Sequence, residues 1–161
     1  VNRHHLLISI SNQKLHIVEN TKLIKSYQVS TAKNGSGCTE GSGCTPLGKH
    51  KIKLKIGAGC LLNSVFVARR PTGEIYSQKI AGKFPDRDWI LTRIIWLDGM
   101  EYGVNKGSGV DSLRRFIYIH GTANTDGIGM PESKGCIRMR NTDILELFDM
   151  VDNGMLVWIK E

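Results

Sequence analysis

A thiol and an imidazole brought together are the most reactive pair this chain of 161 residues can make, and the stretch from His120 to Cys136 holds one of each. A thiolate is the nucleophile in cysteine chemistry, and a thiol of ordinary pKa, ~8.5, reaches that state near neutral pH with the help of an adjacent imidazole. His120 ends the apolar run Arg115-Phe116-Ile117-Tyr118-Ile119, which has strand composition, and Cys136 follows Gly135 in a loop broken by Pro131. A base on a strand end is thus expected to face a thiol on a turn, the arrangement for an activated thiol nucleophile. Gly135 permits close backbone approach, so the amides of Gly135 and Cys136 are expected to point at one oxyanion. Lys134 and Arg138 bracket the sulfur with positive charge, which favours thiolate where either side chain turns inward and does nothing where both face water.

The His-Gly-Thr at 120–122, followed after a Gly-rich loop by Ser133-Lys134-Gly135-Cys136-Ile137-Arg138-Met139, resembles the signature of the L,D-transpeptidase catalytic domain, also called the YkuD-like domain. Leu6 to Ser30 is similar to that family's opening strands, Thr45-Pro46-Leu47-Gly48 to its T-P-x-G turn, and Ile144 to Ile159 to its closing helix and strand. The resemblance implies that Cys136 is the acylated nucleophile, His120 its general base, and the main-chain carbonyl of Gly121 the group that orients the imidazole. It implies peptidoglycan stem peptides as substrate, with a terminal D-alanine expelled and the acyl group passed to an amine of a neighbouring stem or of a wall-anchored lipoprotein. Ser133, Lys134 and Arg138 become the expected substrate contacts, Arg138 for a carboxylate. The periplasm or cell envelope is the implied location, and no metal or organic cofactor is needed. Lys134 stands where the family pattern often has a second His, and Arg138 where it often has Asn. A lysine, with reference pKa near ~10.4, is a poor base at neutral pH, so that role falls on His120 alone. A hydrolase on the same fold and a catalytically idle wall-binding module are the rival readings.

The elements that must position this pair read as one domain over 1–161, with no repeat, low-complexity tract or linker. A hydrophobic content of 40% and a charged content of 23% are those of an ordinary globular chain, and no apolar run approaches the ~20 residues that cross a bilayer. Val1-Asn2 lacks the charged start and apolar core of an export signal, which predicts a processed or excised chain. The net charge of +7 raises polyanions as partners, but no basic helix, finger spacing or aromatic-plus-basic strand accompanies it, which argues against nucleic acid. Lys49, Lys51, Lys53 and Lys55 alternate with His50, Ile52, Leu54 and Ile56. That pattern predicts a strand with one lysine face, either guarding an open face or edge of a sheet or attracting an anionic polymer.

Leu6-Ile10, Lys14-Val18 and Leu23-Val29 read as a three-stranded meander, and Ser30 to Pro46 as a polar surface loop. Leu61 to Arg69 and Ile90 to Leu97 are further apolar runs; Arg69 to Gly73 reads as a turn, and Gln78 to Trp89 as an irregular lid or binding loop. Trp89 on it either stacks on substrate or covers core. Asn141 or Thr142 is expected to cap a helix with Ile144, Leu147, Phe148 and Val151 at i, i+3, i+4 and i+7, ended by Gly154, before Met155-Ile159 closes the chain as a strand. Strands so outnumber helices that the expected fold is a mainly β sandwich or barrel with one packed C-terminal helix. With Cys136 free, three disulfide pairings remain among Cys38, Cys44 and Cys60; in an oxidising compartment Cys38 with Cys44 is the expected one. No spacing suits zinc, and His4, His5, His16 and His50 read as strand-surface residues.

Overall fold

A computed structural model describes residues 4–161 of the chain. The expected meander opens it: β1 (His4–Ser9), β2 (Lys14–Glu19) and β3 (Lys22–Gln28) pair antiparallel through short turns, with Gln13, Asn20 and Thr21 at positive φ. The remaining strands are β4 (Gly48–Ile56), β5 (Ser64–Val67), β6 (Arg70–Ile75), β7 (Ile90–Gly99), β8 (Tyr118–Gly121), β9 (Ile137–Met139) and β10 (Leu156–Lys160). All ten belong to one branched sheet in the order β3-β2-β1-β10-β4-β7-β5-β6, with β8 on β7 and β9 on β8. The mainly β architecture with a packed C-terminal helix is the one found. Among the strands of the described residues, only β1 with β10 and β8 with β9 pair in parallel. Parallel neighbours cannot be joined by a hairpin, so nearly the whole chain separates the first pair and residues 122–136 cross over between the second.

The core lies on one face of the sheet. Strand alternation turns Leu6, Ile8, Leu15, Ile17, Val157 and Ile159 inward, where they meet Ile144, Leu147 and Phe148 of α2 (Asn141–Met150) and Val151 just beyond it. The helix starts without the expected cap: Arg140 occupies the N-cap position and makes no side-chain capping bond. Asn141 is diverted instead, accepting from Thr92 Oγ1 at 2.8 Å and donating to Thr122 O at 2.9 Å, so its side chain ties α2 to β7 and to the segment after β8. Helix α2 also stops earlier than expected, at Met150, and Gly154 serves the turn before β10.

Three expectations change here. Residues 69–73 are not a turn: the reversal lies at Ala68 and Arg69, with φ of 48° and 64°, and Arg70 onward forms β6. Pro71 is tolerated there because β6 is an edge strand, where a missing N–H costs no ladder bond. The insert at 78–89 is not wholly irregular, since α1 (Gln78–Lys83) opens it, capped by Ser77 Oγ. The lysine strand is central, so its exposed Lys49 and Lys53 sit on an open face and not at an edge, and a register shift between Ile52 and Leu54 breaks the expected alternation. Leu54 is left exposed, while Lys55 lies over the Phe148 ring and donates to Val151 O at 2.8 Å. Among the described residues no helix is long and apolar enough to cross a membrane.

His50 departs from expectation as well: it is fully buried, with Nε2 2.9 Å from Ser112 Oγ and Nδ1 3.1 Å from Gly48 O. Burial pushes its pKa down to about 4, against smaller upward pulls from Gly48 O, Glu101 and Asp98. Below the ordinary histidine pKa, ~6.5, the unfolded chain therefore takes a proton that folded His50 refuses, so stability falls with pH from ~6.5 down to about 4, by about 3 kcal/mol from this group. Denaturant unfolding across that window is expected to show a shallower loss for His50→Gln than for the native sequence; parallel curves would remove His50 as the cause.

Candidate active site

Strand β8 exists to hold His120. Its odd member Ile119, with Ile137 and Met139 of β9, is completely buried on the core side. Alternation then sends Tyr118 and His120 to the opposite face. In the parallel ladder Ile119 lies beside Ile137 and His120 beside Arg138. One step earlier Cys136 comes level with Tyr118, whose N–H donates to Cys136 Sγ at 3.3 Å. Tyr118, His120, Cys136 and Arg138 thus share one face, which lines a groove of about 300 Å³ together with Phe66, Arg69, Asp88, Ile94, Phe116, Ser133 and Lys134.

The imidazole is fixed. Its Nδ1 donates to the main-chain carbonyl of Gly121 at 2.6 Å, which leaves the Nε2 lone pair for a proton. Burial lowers the pKa of His120, opposed by the Gly121 carbonyl and Asp88 and aided by Arg138. Burial likewise pushes the Cys136 thiol up to about 11, offset in part by the Tyr118 N–H, Arg138 and Arg115, with Asp88 adding to the rise. The resting pair is therefore neutral thiol and neutral imidazole. The bracketing cations do not make a standing thiolate: Lys134 faces solvent, and Arg138 is engaged with Asp88 at 3.4 Å and Glu132 O at 3.3 Å. The thiol donates to Phe116 O at 3.3 Å, and Phe116 holds a φ of 58°, an unusual conformation for a bulky residue that aims its carbonyl at the sulfur.

The nucleophile's loop is braced from below. Ser133 Oγ donates to Cys136 O at 2.6 Å and accepts from Gly135 N at 3.2 Å. The Gly135 amide is accordingly spent inside the loop, which corrects the expectation that it joins the Cys136 amide at an oxyanion. Ser133 itself is a buried strut, its hydroxyl used twice within the loop. Thr45 Oγ1 donates to Gly135 O and accepts from Ala32 N, both at 2.9 Å. The 30–46 segment is thus not all surface: Ser30, Thr31, Ala32 and Thr45 are buried beneath the loop they support. Cys38 and Cys44 within it are free thiols, not a disulfide; Cys38 Sγ donates to Leu47 O and Cys44 Sγ to Asn34 O. Trp89 meets Tyr76 edge-on at 5.1 Å and Arg87 at 4.8 Å, beside a smaller hollow that shares Asp88 and Arg138 with the main groove.

Gly121 has a steric role as well. A Cβ there would meet Leu91 O at 2.6 Å and the Asn141 carboxamide oxygen. Gly121→Ala is expected to push the strand off β7, swing the carbonyl that holds His120, and slow any reaction of Cys136 at least tenfold while costing about 1–3 kcal/mol of stability. Rate and melting temperature measured together check this; an unchanged rate would show that the carbonyl does not set the imidazole.

Sequence reasoning missed Asp88, Tyr118 and Phe116. Tyr118 was within reach by alternation, two positions before His120. Asp88 and Phe116 carry no local signal, since one reaches Arg138 across the groove and the other acts through its carbonyl.

The family model of the L,D-transpeptidase catalytic domain, YkuD, matches residues 3–159. Over 116 residues the chain is 37% identical to YkuD of Bacillus subtilis strain 168, a match covering 68% of this chain and 65% of that protein. Among solved structures, an L,D-transpeptidase from Mycobacterium smegmatis superposes with a TM-score of 0.60 at 14% identity, over 99% of this chain and 59% of that one. L,D-transpeptidase 3 from Mycobacterium tuberculosis, in complex with a faropenem-derived adduct, gives 0.60 at 15% identity, over 99% and 61%. The chain spans less than two thirds of each of these relatives. With the matched region running almost end to end, the chain belongs to the L,D-transpeptidase catalytic domain family.

Proposed function

We propose that this chain is a cysteine acyltransferase of the bacterial cell envelope that remodels peptidoglycan stem peptides. The observation that carries the reading is the shared face of β8 and β9, which sets Cys136 and a tautomer-fixed His120 along one groove. Cys136 Sγ attacks the carbonyl at the L-centre of the third stem residue as its proton passes to His120 Nε2. The C–N bond to the terminal D-alanine breaks, and the imidazolium returns the proton to the departing amine. The acyl group is held as a thioester. An acceptor amine, of a neighbouring stem or of a wall-anchored protein, then attacks that carbonyl, gives its proton to His120 and frees the thiol. Because thiol and imidazole both rest neutral, proton transfer accompanies attack and an idle enzyme carries no exposed thiolate. The Cys136 amide is the remaining loop donor for the oxyanion, and a donor of this kind is worth of order 3 kcal/mol. Lys134 and Arg138 make the groove mouth attractive to a peptide rich in carboxylates.

Incubation of the purified chain with disaccharide-tetrapeptide, followed by mass spectrometry, tests this. Cross-linked dimers with release of D-alanine are expected. Tripeptide without dimers would mean that water outcompetes the amine on the same site, making the chain a hydrolase. No product, together with no adduct from a penem or carbapenem, would defeat both readings and leave a wall-binding module.

A further inference from the structure

We propose that Arg69 is the receptor for the terminal carboxylate of the donor peptide, an assignment that rests on the tetrapeptide reading above. The tight turn at Ala68 and Arg69 sets this side chain at the tip of the β5–β6 hairpin, and it lines the same groove as Cys136. Its guanidinium lies 5.2 Å from the Trp96 ring centroid and 4.7 Å from that of Phe116, and Nη1 donates to the Tyr118 hydroxyl at 3.2 Å. Phe116 and Tyr118 are also the residues whose backbone groups hold Cys136 Sγ. The guanidinium is therefore fixed to the nucleophile's own cradle, and little of its freedom remains to be lost when a ligand arrives.

Arg69 differs from the other guanidinium of the groove in what it already holds. Arg138 is paired with Asp88 and bonded to Glu132 O, with a side chain only 12% exposed. A ligand carboxylate would have to displace those partners. Among the described residues Arg69 takes part in no ion pair. Lys134 is exposed and offers a point charge without the planar fork that grips a carboxylate by two N–H bonds. Among the groove's charged residues, Arg69, Lys134 and Arg138 outnumber Asp88, so an anion is drawn in and an unpaired, stacked guanidinium waits for it. Attack at the last peptide bond of a chain places the terminal carboxylate only one residue beyond the reacting carbonyl, a position that a groove-lining group near Cys136 can read.

Two tetrapeptides, one ending in a carboxylate and one in a carboxamide, are compared for the rate of Cys136 acylation and, in Cys136→Ala protein, for calorimetric affinity. A carboxylate preference of about 10- to 100-fold is expected from the native sequence, the range for hydrogen bonds to a charged group. Arg69→Met, which keeps apolar contact with the two rings, is expected to bring that ratio close to one. A preference untouched by Arg69→Met, or equal losses on both peptides, overturns the assignment. If neither peptide binds or reacts with the native sequence, the tetrapeptide reading fails first and this one with it.

Discussion

Cys136→Ala is expected to yield a folded protein that forms no covalent adduct with tetrapeptide or penem. The loss is expected to be complete because the groove's hydroxyls are engaged, Ser133 Oγ being buried and bonded at both its donor and its acceptor side and Tyr118 Oη tied to Arg69, while an ammonium such as Lys134 is a poor nucleophile near neutrality. The fold should survive because the thiol is only half-buried, on the margin of the small apolar cluster of Phe66, Ile94 and Tyr118. Removing the sulfur leaves the Tyr118 N–H and the Phe116 carbonyl without that partner, a cost of about 1–2 kcal/mol where water cannot replace it. Intact-protein mass spectrometry decides the matter. The native sequence should gain one adduct and Cys136→Ala none. Cys60 packs against the same cluster, so an adduct retained in Cys136→Ala and mapped to Cys60 would identify the wrong thiol.

What the sequence made legible, and what it hid, divides along the range of the interactions involved. The meander, the apolar stripe of α2 and the His-to-Cys stretch are local patterns, and each appears where periodicity or motif placed it. That His120 and Cys136 face one groove was legible from the motif; the parallel pairing of β8 and β9 that sets His120 level with Arg138 was not, because no spacing in the 122–136 crossover dictates that register. His50 reads as a strand-surface residue beside the lysines, yet the strand is central, and a partner 62 positions away, Ser112, satisfies its buried ring. Asn141 has the composition of a cap and is used as a tether, since Thr92 and Thr122 compete successfully for its side chain. The Gly135 amide was expected to serve the substrate and serves Ser133, a bond within the loop that only the loop's conformation reveals. For His50 and Asn141 a short-range preference yields to a long-range partner, whereas the Gly135 amide is taken within its own loop.

His120→Gln is expected to slow acylation of Cys136 by about 10²- to 10⁴-fold, the usual worth of a positioned general base. Glutamine can still reach toward the Gly121 carbonyl, but it offers no lone pair that takes a proton near neutrality. The pH profile separates a base from a merely structural residue. Burial lowers the His120 pKa, so the competent neutral imidazole persists below ~6.5, and the native rate should fall only as pH drops through that depressed value. The rate should then stay flat through neutral pH, because Cys136, pushed up to about 11, does not ionise there by itself. Without the imidazole, the reaction depends on the small thiolate fraction, so in His120→Gln the acid limb disappears and the rate climbs with pH toward the thiol's own pKa. Adduct formation followed by mass spectrometry over the accessible pH range reads both features. An acid limb that persists in His120→Gln would assign it to another group, with Asp88, which acts on both His120 and Cys136, the first to replace by Asn.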